Sequence, residues 1–169
     1  MIISSEQLGE LFRDFRHSAF RLETHQTYTM ASEQPGLVRF RAGEPKPEGH
    51  NAGWTATVRA NVAAGKAMTR VKIVHRPFTD YTRFLFAWAI PANVAAGEDY
   101  RILDITDRSA ELPEQDFWVF DGDLVATLNF EPDGTLRDRE LVPSEESNRY
   151  LTWRDLALAE AVPFVDYRT

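Results

Sequence analysis

The sequence predicts an α/β domain: a mixed sheet with helices on both faces and an antiparallel meander in its C-terminal half. Three observations predict it. Segments of helical period alternate with segments of strand period through the first part of the chain. Two Asp-Gly dipeptides, at 121–122 and 133–134, separate three strand-like runs later on. Finally, a helix stands between successive early strands, and such crossovers are right-handed and join parallel strands. The length of 169 residues fits one domain spanning 1–169, since a domain takes about 100–200 residues.

Taken in order, Ser4 and Gln7 have the spacing of a capping box ahead of Leu8, Leu11, Phe12 and Phe15, which predicts a helix over 5–15. Residues 18–28 alternate Phe20, Leu22 and Thr24 against Arg21, Glu23 and His25, which predicts a strand. A short helix follows over 33–42, where Leu37, Val38 and Phe40 cluster before Gly43. The stretch 43–53 is rich in Gly and Pro without periodicity and reads as an exposed loop. A helix over 54–64 ends at Gly65. TRVKIVH (69–75) is a strand, and Thr79 and Asp80 start the next helix, whose face is Tyr81, Phe84, Leu85, Trp88 and Ala89. Pro91 is expected to end or kink it. YRILDI (100–105) is a strand. FWVF (117–120), DLVATLNF (123–130) and TLRDREL (135–141) form the meander, because Asp-Gly between apolar runs signals a hairpin. A helix over 144–161 closes the chain before Pro163.

Composition narrows the chemistry. Eleven Phe, five Tyr and four Trp can supply the core. The absence of cysteine excludes disulfides, thiolate zinc sites, iron–sulfur clusters and cysteine nucleophiles. The net charge of −7 repels phosphate backbones, and Arg70, Lys72, Arg76 and Arg83 are too scattered to reverse that, so no direct nucleic-acid contact is expected. The N-terminus lacks the basic and apolar regions of a secretory signal, and no segment is apolar for long enough to cross a membrane, so a cytoplasmic protein is expected.

No esterase, P-loop, zincin or dinucleotide motif is present, and neither a catalytic residue, a metal site nor a cofactor is predicted. His17 and His25 lie roughly 26 Å apart on an extended chain, too far to share an ion. Glu23 lies two residues from His25 and could orient its imidazole, although a solvated pair is the simpler account. Two segments carry polar groups suited to a small anionic ligand. In TDYTRF, Asp80, Tyr81 and Arg83 begin a helix whose N-terminus, with Arg70 and Arg76, could hold an anion. In NVAAGEDYR, Asn93, Glu98, Asp99 and Arg101 stand at the entrance to a strand, a usual place for ligands in open sheets. The simpler account makes these a surface ion pair and turn residues. Asp116 and Asp121 read as turn residues flanking a strand buried on both faces.

FRHSAFRLET (15–24), TDYTRF (79–84), NVAAGEDYRILD (93–104), LPEQDFWVFD (112–121) and YLTWRDLALAEAVPFVDY (150–167) together resemble an uncharacterised domain-of-unknown-function family of high-GC Gram-positive bacteria. The resemblance supplies no established activity. It places members near genes for helix-turn-helix regulators. A weaker resemblance is to a phospholipase-D-like fold, whose His-x-Lys-x-x-x-x-Asp motif would end at Asp121. Glu114 and Asp116 then occupy the His and Lys positions, which implies that the chemistry is lost. The resulting expectation is a non-catalytic binding or regulatory module acting with a DNA-binding regulator protein. The alternatives are an enzyme or receptor for a small anionic metabolite, and a structural protein that assembles as a homodimer.

Overall fold

The computed structural model describes residues 1–169. Helix α1 (Ser5–Asp14) leads into strand β1 (Ser18–Glu23); α2 (Gln34–Arg41) and α3 (Ala52–Ala63) lead to β2 (Ala67–Val74). A continuous helical segment follows, made of α4 (Asp80–Phe84), one π-helical turn (Leu85–Ala89) and α5 (Ile90–Ala96). Strands β3 (Asp99–Asp104), β4 (Asp116–Phe120), β5 (Leu124–Phe130) and β6 (Leu136–Leu141) precede α6 (Ser147–Glu160) and a two-residue strand β7 (Val162–Pro163).

The seven strands form one mixed sheet in the order β6-β5-β4-β1-β2-β3-β7. Strands β1, β2 and β3 are parallel, as the intervening helices require, whereas β4, β5 and β6 form the antiparallel meander. Both edges of the sheet are protected. Ile2 bridges to Glu140 on β6, and β7 pairs with β3. Helix α6 covers one face over Leu22, Val71, Leu103, Phe117 and Val125. Helices α1 to α5 cover the other face, packing against two apolar clusters around Trp118 with Phe120 and around Phe84 with Trp88.

The two Asp-Gly turns are built differently. Asp121 and Gly122 both take positive φ, and the Asp123 N–H donates to Phe120 O, so Asp-Gly forms the centre of a tight turn; Phe120 pairs with Leu124, which makes the connection three residues long. The Asp121 side chain also receives the N–H groups of Arg16, His17 and Ser18 at 2.8, 2.6 and 3.1 Å, tying the start of β1 to the hairpin. In the second turn only Gly134 has positive φ, and a bulge at Asn129/Phe130 takes up the extra residue. A Cβ at Gly134 would stand 2.8 Å from Thr27 O, so glycine is required there by close approach as well as by conformation.

Three expectations are corrected. The strand predicted over 18–28 ends at Glu23, because the Thr24 N–H and hydroxyl turn to the Asp116 carboxylate instead of a neighbouring strand. Pro91 does not stop its helix. It lies in the first turn of α5, just after the π-helical turn, where a missing N–H costs little. Pro163 belongs to β7, a pairing too short to leave a periodic signal.

Candidate functional site

The site begins with register. Arg21 on β1 lies beside Arg70 on β2 and Trp118 on β4; Arg70 in turn lies beside Tyr100 on β3. Two residues along, Glu23 is paired with Lys72. Side chains alternate across a strand, so all of these stand on the face covered by α1 to α5. A helical layer laid over charged strand positions removes them from water, and buried charges persist only when paired.

The pairing is complete. The Arg21 Nη2 donates to Asp116 Oδ2 at 2.6 Å. Arg70 donates from Nε to Glu98 Oε1 at 2.7 Å and from Nη1 to Glu23. The Lys72 ammonium is fully buried, 3.7 Å from Glu23 and hydrogen-bonded to His25 O. Three cations, Arg21, Arg70 and Lys72, thus face three carboxylates, Glu23, Glu98 and Asp116. The aromatic rings of Trp54, Tyr100 and Trp118 surround the Arg70 guanidinium, and Trp54 Nε1 donates to Glu98 Oε2 at 3.0 Å.

Asp116 is the hub. It is fully buried and also receives the Tyr28 hydroxyl at 2.6 Å, the Thr24 N–H and hydroxyl at 2.9 and 2.7 Å, and His25 Nδ1 at 3.2 Å. Burial alone would push its carboxyl up. The Arg21 charge and the hydrogen bonds outweigh that and hold it well below the usual carboxylate range. Burial pushes the Lys72 ammonium down despite Glu23 and Asp116 nearby. Burial and adjacent carboxylates push the phenols of Tyr28, Tyr81 and Tyr100 well above their ordinary range, so they stay protonated hydrogen-bond donors at neutral pH.

Above this neutral floor lies a cavity of about 540 Å³ between the sheet and the helices, within the ~300–1,000 Å³ typical of small-molecule sites. Trp54, Trp118, Phe84 and Phe130 contribute flat apolar walls, and Arg21, Glu23, Arg70 and Tyr100 reach it from below. On the side walled by α2 and α4, Tyr81 donates to Glu33 at 2.6 Å. Burial pushes the Glu33 carboxyl up, only partly offset by that hydrogen bond. The loop before α3 closes over the cavity. His50 packs edge-on against Phe84 and Trp88, and the Asn51 amide donates to Asn93 Oδ1 at 2.7 Å. A smaller polar recess of about 130 Å³ lies beside His25, Gln115, Asn129 and Arg137.

The residues expected from the sequence divide. Tyr81 and Asn93 line the cavity, and Glu98 lies beneath it as the anchor of Arg70. The other four do not converge there. Asp80 pairs with Arg83 and Arg41 on the surface, and Asp99 pairs with Arg101 at the base of β3. The anion site imagined for Arg70, Arg76 and Arg83 is likewise dispersed. Arg70 is buried, Arg76 holds Asp104 and Tyr167, and Arg83 donates to Phe78 O and Asp80. The orienting partner of His25 is Asp116 and not Glu23.

Arg21, Glu23 and Lys72 were missed as site residues for one physical reason. Alternation of charged and apolar residues in a strand normally marks a solvated face. Here two parallel strands with helical crossovers both carry it, and the crossovers bury that face. That conjunction is the signal that would have found them.

A family model matches residues 6–169. The chain belongs to that family, a domain of unknown function (DUF6879). The matched span includes every residue of the ionic floor and every wall of the cavity. No curated protein matches the chain.

Proposed function

We propose that this DUF6879 domain is a non-catalytic module that binds a small, largely aromatic molecule in the cavity over its charged sheet. The observation that carries the proposal is a preformed cavity of ligand size whose ionic floor is neutralised within the protein. A floor of this kind holds its shape when the cavity fills, and presents phenols, indoles and fixed dipoles to a ligand. Preorganisation of that sort lowers the cost of binding.

The same pairing argues against a catalytic floor. A general acid or base must be free to exchange a proton with the substrate. Asp116 accepts hydrogen bonds from four residues, and Glu23 is held by Arg70, Lys72 and Tyr100. Phosphodiester chemistry of the phospholipase-D kind is not part of the proposal, since the exposed Glu114 and the buried Asp116 stand where its histidine and lysine would be. An enzymatic alternative rests on Glu33, the one cavity carboxyl raised from its ordinary range. We propose in addition that a DNA-binding regulator protein reads the loaded state, a role that rests on the family context implied by the sequence.

The test is ligand recovery. Protein purified from its native host is compared by mass spectrometry under native and denaturing conditions, and the Trp54 and Trp118 indole N–H signals are followed by NMR during addition of aromatic fragments. A released small molecule, with both indole signals shifting on its return, is the expected result. Fragments that leave both indole signals unmoved at millimolar concentration would overturn the proposal.

A further inference from the structure

Three guanidinium groups reach the cavity, from Arg21, Arg70 and Arg139. Two are spent. Arg21 is neutralised by Asp116, and Arg70 by Glu23 and Glu98. Arg139 is different. It stands on β6 opposite the apolar Leu128, with Leu8 and Leu136 also lining that end of the cavity. It forms no ion pair, and its Nε is buried with no hydrogen-bond partner. Its backbone is fixed, since β6 pairs with β5 and the Ile3 N–H donates to Arg139 O at 2.9 Å.

An unpaired guanidinium in apolar surroundings is costly unless something supplies its counter-charge. The fully buried cations of the protein are all paired, whereas Arg139, part-buried with its Nε sealed off, is left free where a ligand would lie. We propose that Arg139 is the anion-receiving end of the cavity, and that the ligand is a flat apolar or aromatic molecule bearing a single carboxylate or phosphate group. The proposal rests on the cavity being a ligand site. Its two terminal nitrogens form a donor fork that matches two oxygens of such a group. Trp118 and Phe130 line the cavity along with Arg139 and offer flat faces to the body of the ligand. The limit of one acidic group follows from the rest of the cavity. The floor is already neutral, and Glu33 on the α2 side offers no cation to a second anion.

The experiment uses the whole chain and four probes that share one skeleton: 2-naphthylacetate, 2-naphthyl phosphate, 2-naphthylacetamide and 2-(2-naphthyl)ethylamine. Affinities are read from the Trp54 and Trp118 indole signals in the wild type, Arg139→Met and Arg139→Lys. The expected result is that at least one of the two acids binds tenfold or more tightly than the amide and the amine. The better acid identifies which oxyanion is preferred. Arg139→Met should erase that gap while leaving the amide within about twofold, and Arg139→Lys, which keeps the charge and loses the fork, should fall between. Should Arg139→Met fail to fold, a threefold or greater loss of acid affinity in Arg139→Lys supports the proposal and an unchanged affinity overturns it. Equal affinity for acid and amide in the wild type, or an acid preference that survives in Arg139→Met, overturns the role of Arg139 and leaves the cavity as a site for neutral or cationic ligands. Failure of all four probes to bind overturns the cavity reading, and this inference with it.

Discussion

Replacing Asp116 by Asn tests the ionic floor directly. The change is nearly isosteric, yet it removes the charge that Arg21 faces at 2.6 Å and turns one acceptor into an NH₂ donor. Arg21, Tyr28, Thr24 and His25 all direct hydrogen bonds at the two carboxylate oxygens, so the new amide must oppose at least one of them. Breaking a buried ion pair from one side costs about 3–5 kcal/mol, a large part of the roughly 5–15 kcal/mol that holds a domain folded. At about 2–4 °C per kcal/mol for a domain of this size, the melting temperature should fall by roughly 6–20 °C. Urea unfolding followed by far-UV circular dichroism measures the loss, and the midpoint should move with little change in slope. The double variant Arg21→Met, Asp116→Leu removes both charges and should recover only the part of the loss due to an unpaired Arg21, because Tyr28, Thr24 and His25 still lose their acceptor. Two outcomes would refute the reasoning: Asp116→Asn within about 1 kcal/mol of the wild type, or a double variant no more stable than the sum of its single changes. The pH dependence has a definite sign. The folded value of Asp116 is depressed, so its contribution is present above the ordinary carboxylate range and is lost as pH falls towards the folded value.

Gly134→Ala combines positive φ with a 2.8 Å approach to Thr27 O, and should lower stability by more than about 1 kcal/mol in the same urea assay. Glu33 carries the opposite sign from Asp116. Its folded value is raised, so its contribution is fully present below its ordinary value of 4.5 and is lost as pH rises through the folded value. Glu33→Gln should therefore remove that decline, with stability measured from pH 4 to pH 8 as the check. The exposed large apolar side chains Met1, Ile2, Val38, Val62, Val162 and Val165 belong to four separate segments, so light scattering is expected to report a monomer. A dimer would favour the structural role.

The order of helices and strands was legible because it depends on local chemistry. Asp121-Gly122 dictated a tight hairpin, and Ser4 with Gln7 capped α1 by the reciprocal bonds their spacing implies. The cavity was half legible. Tyr81 and Asn93 were recognised from their polarity near helix and strand ends. The floor was not legible, because Arg21 meets Arg70 only through a parallel register spanning two intervening helices. Asp116 looked like a residue leaving a turn, and its neighbours in sequence give no hint that Arg21, Tyr28, Thr24 and His25 converge on it. Arg139 alternates along a strand with exposed residues, and only the tertiary structure shows that its side lies under α1 and the N-terminal segment.

The alternation of β1 and β2 has one more consequence. On the α6 side, Phe20 and Leu22 lie against Thr69 and Val71. A slip of two residues would set Leu22 against Ile73, and grease would accept the exchange. On the other side the same slip would take Glu23 from Lys72 to the apolar Val74 and set Arg21 against Lys72. The buried salt network therefore works as a key cut for one alignment. Oily contacts tell the strands that they belong together, and the charges tell them where to stop.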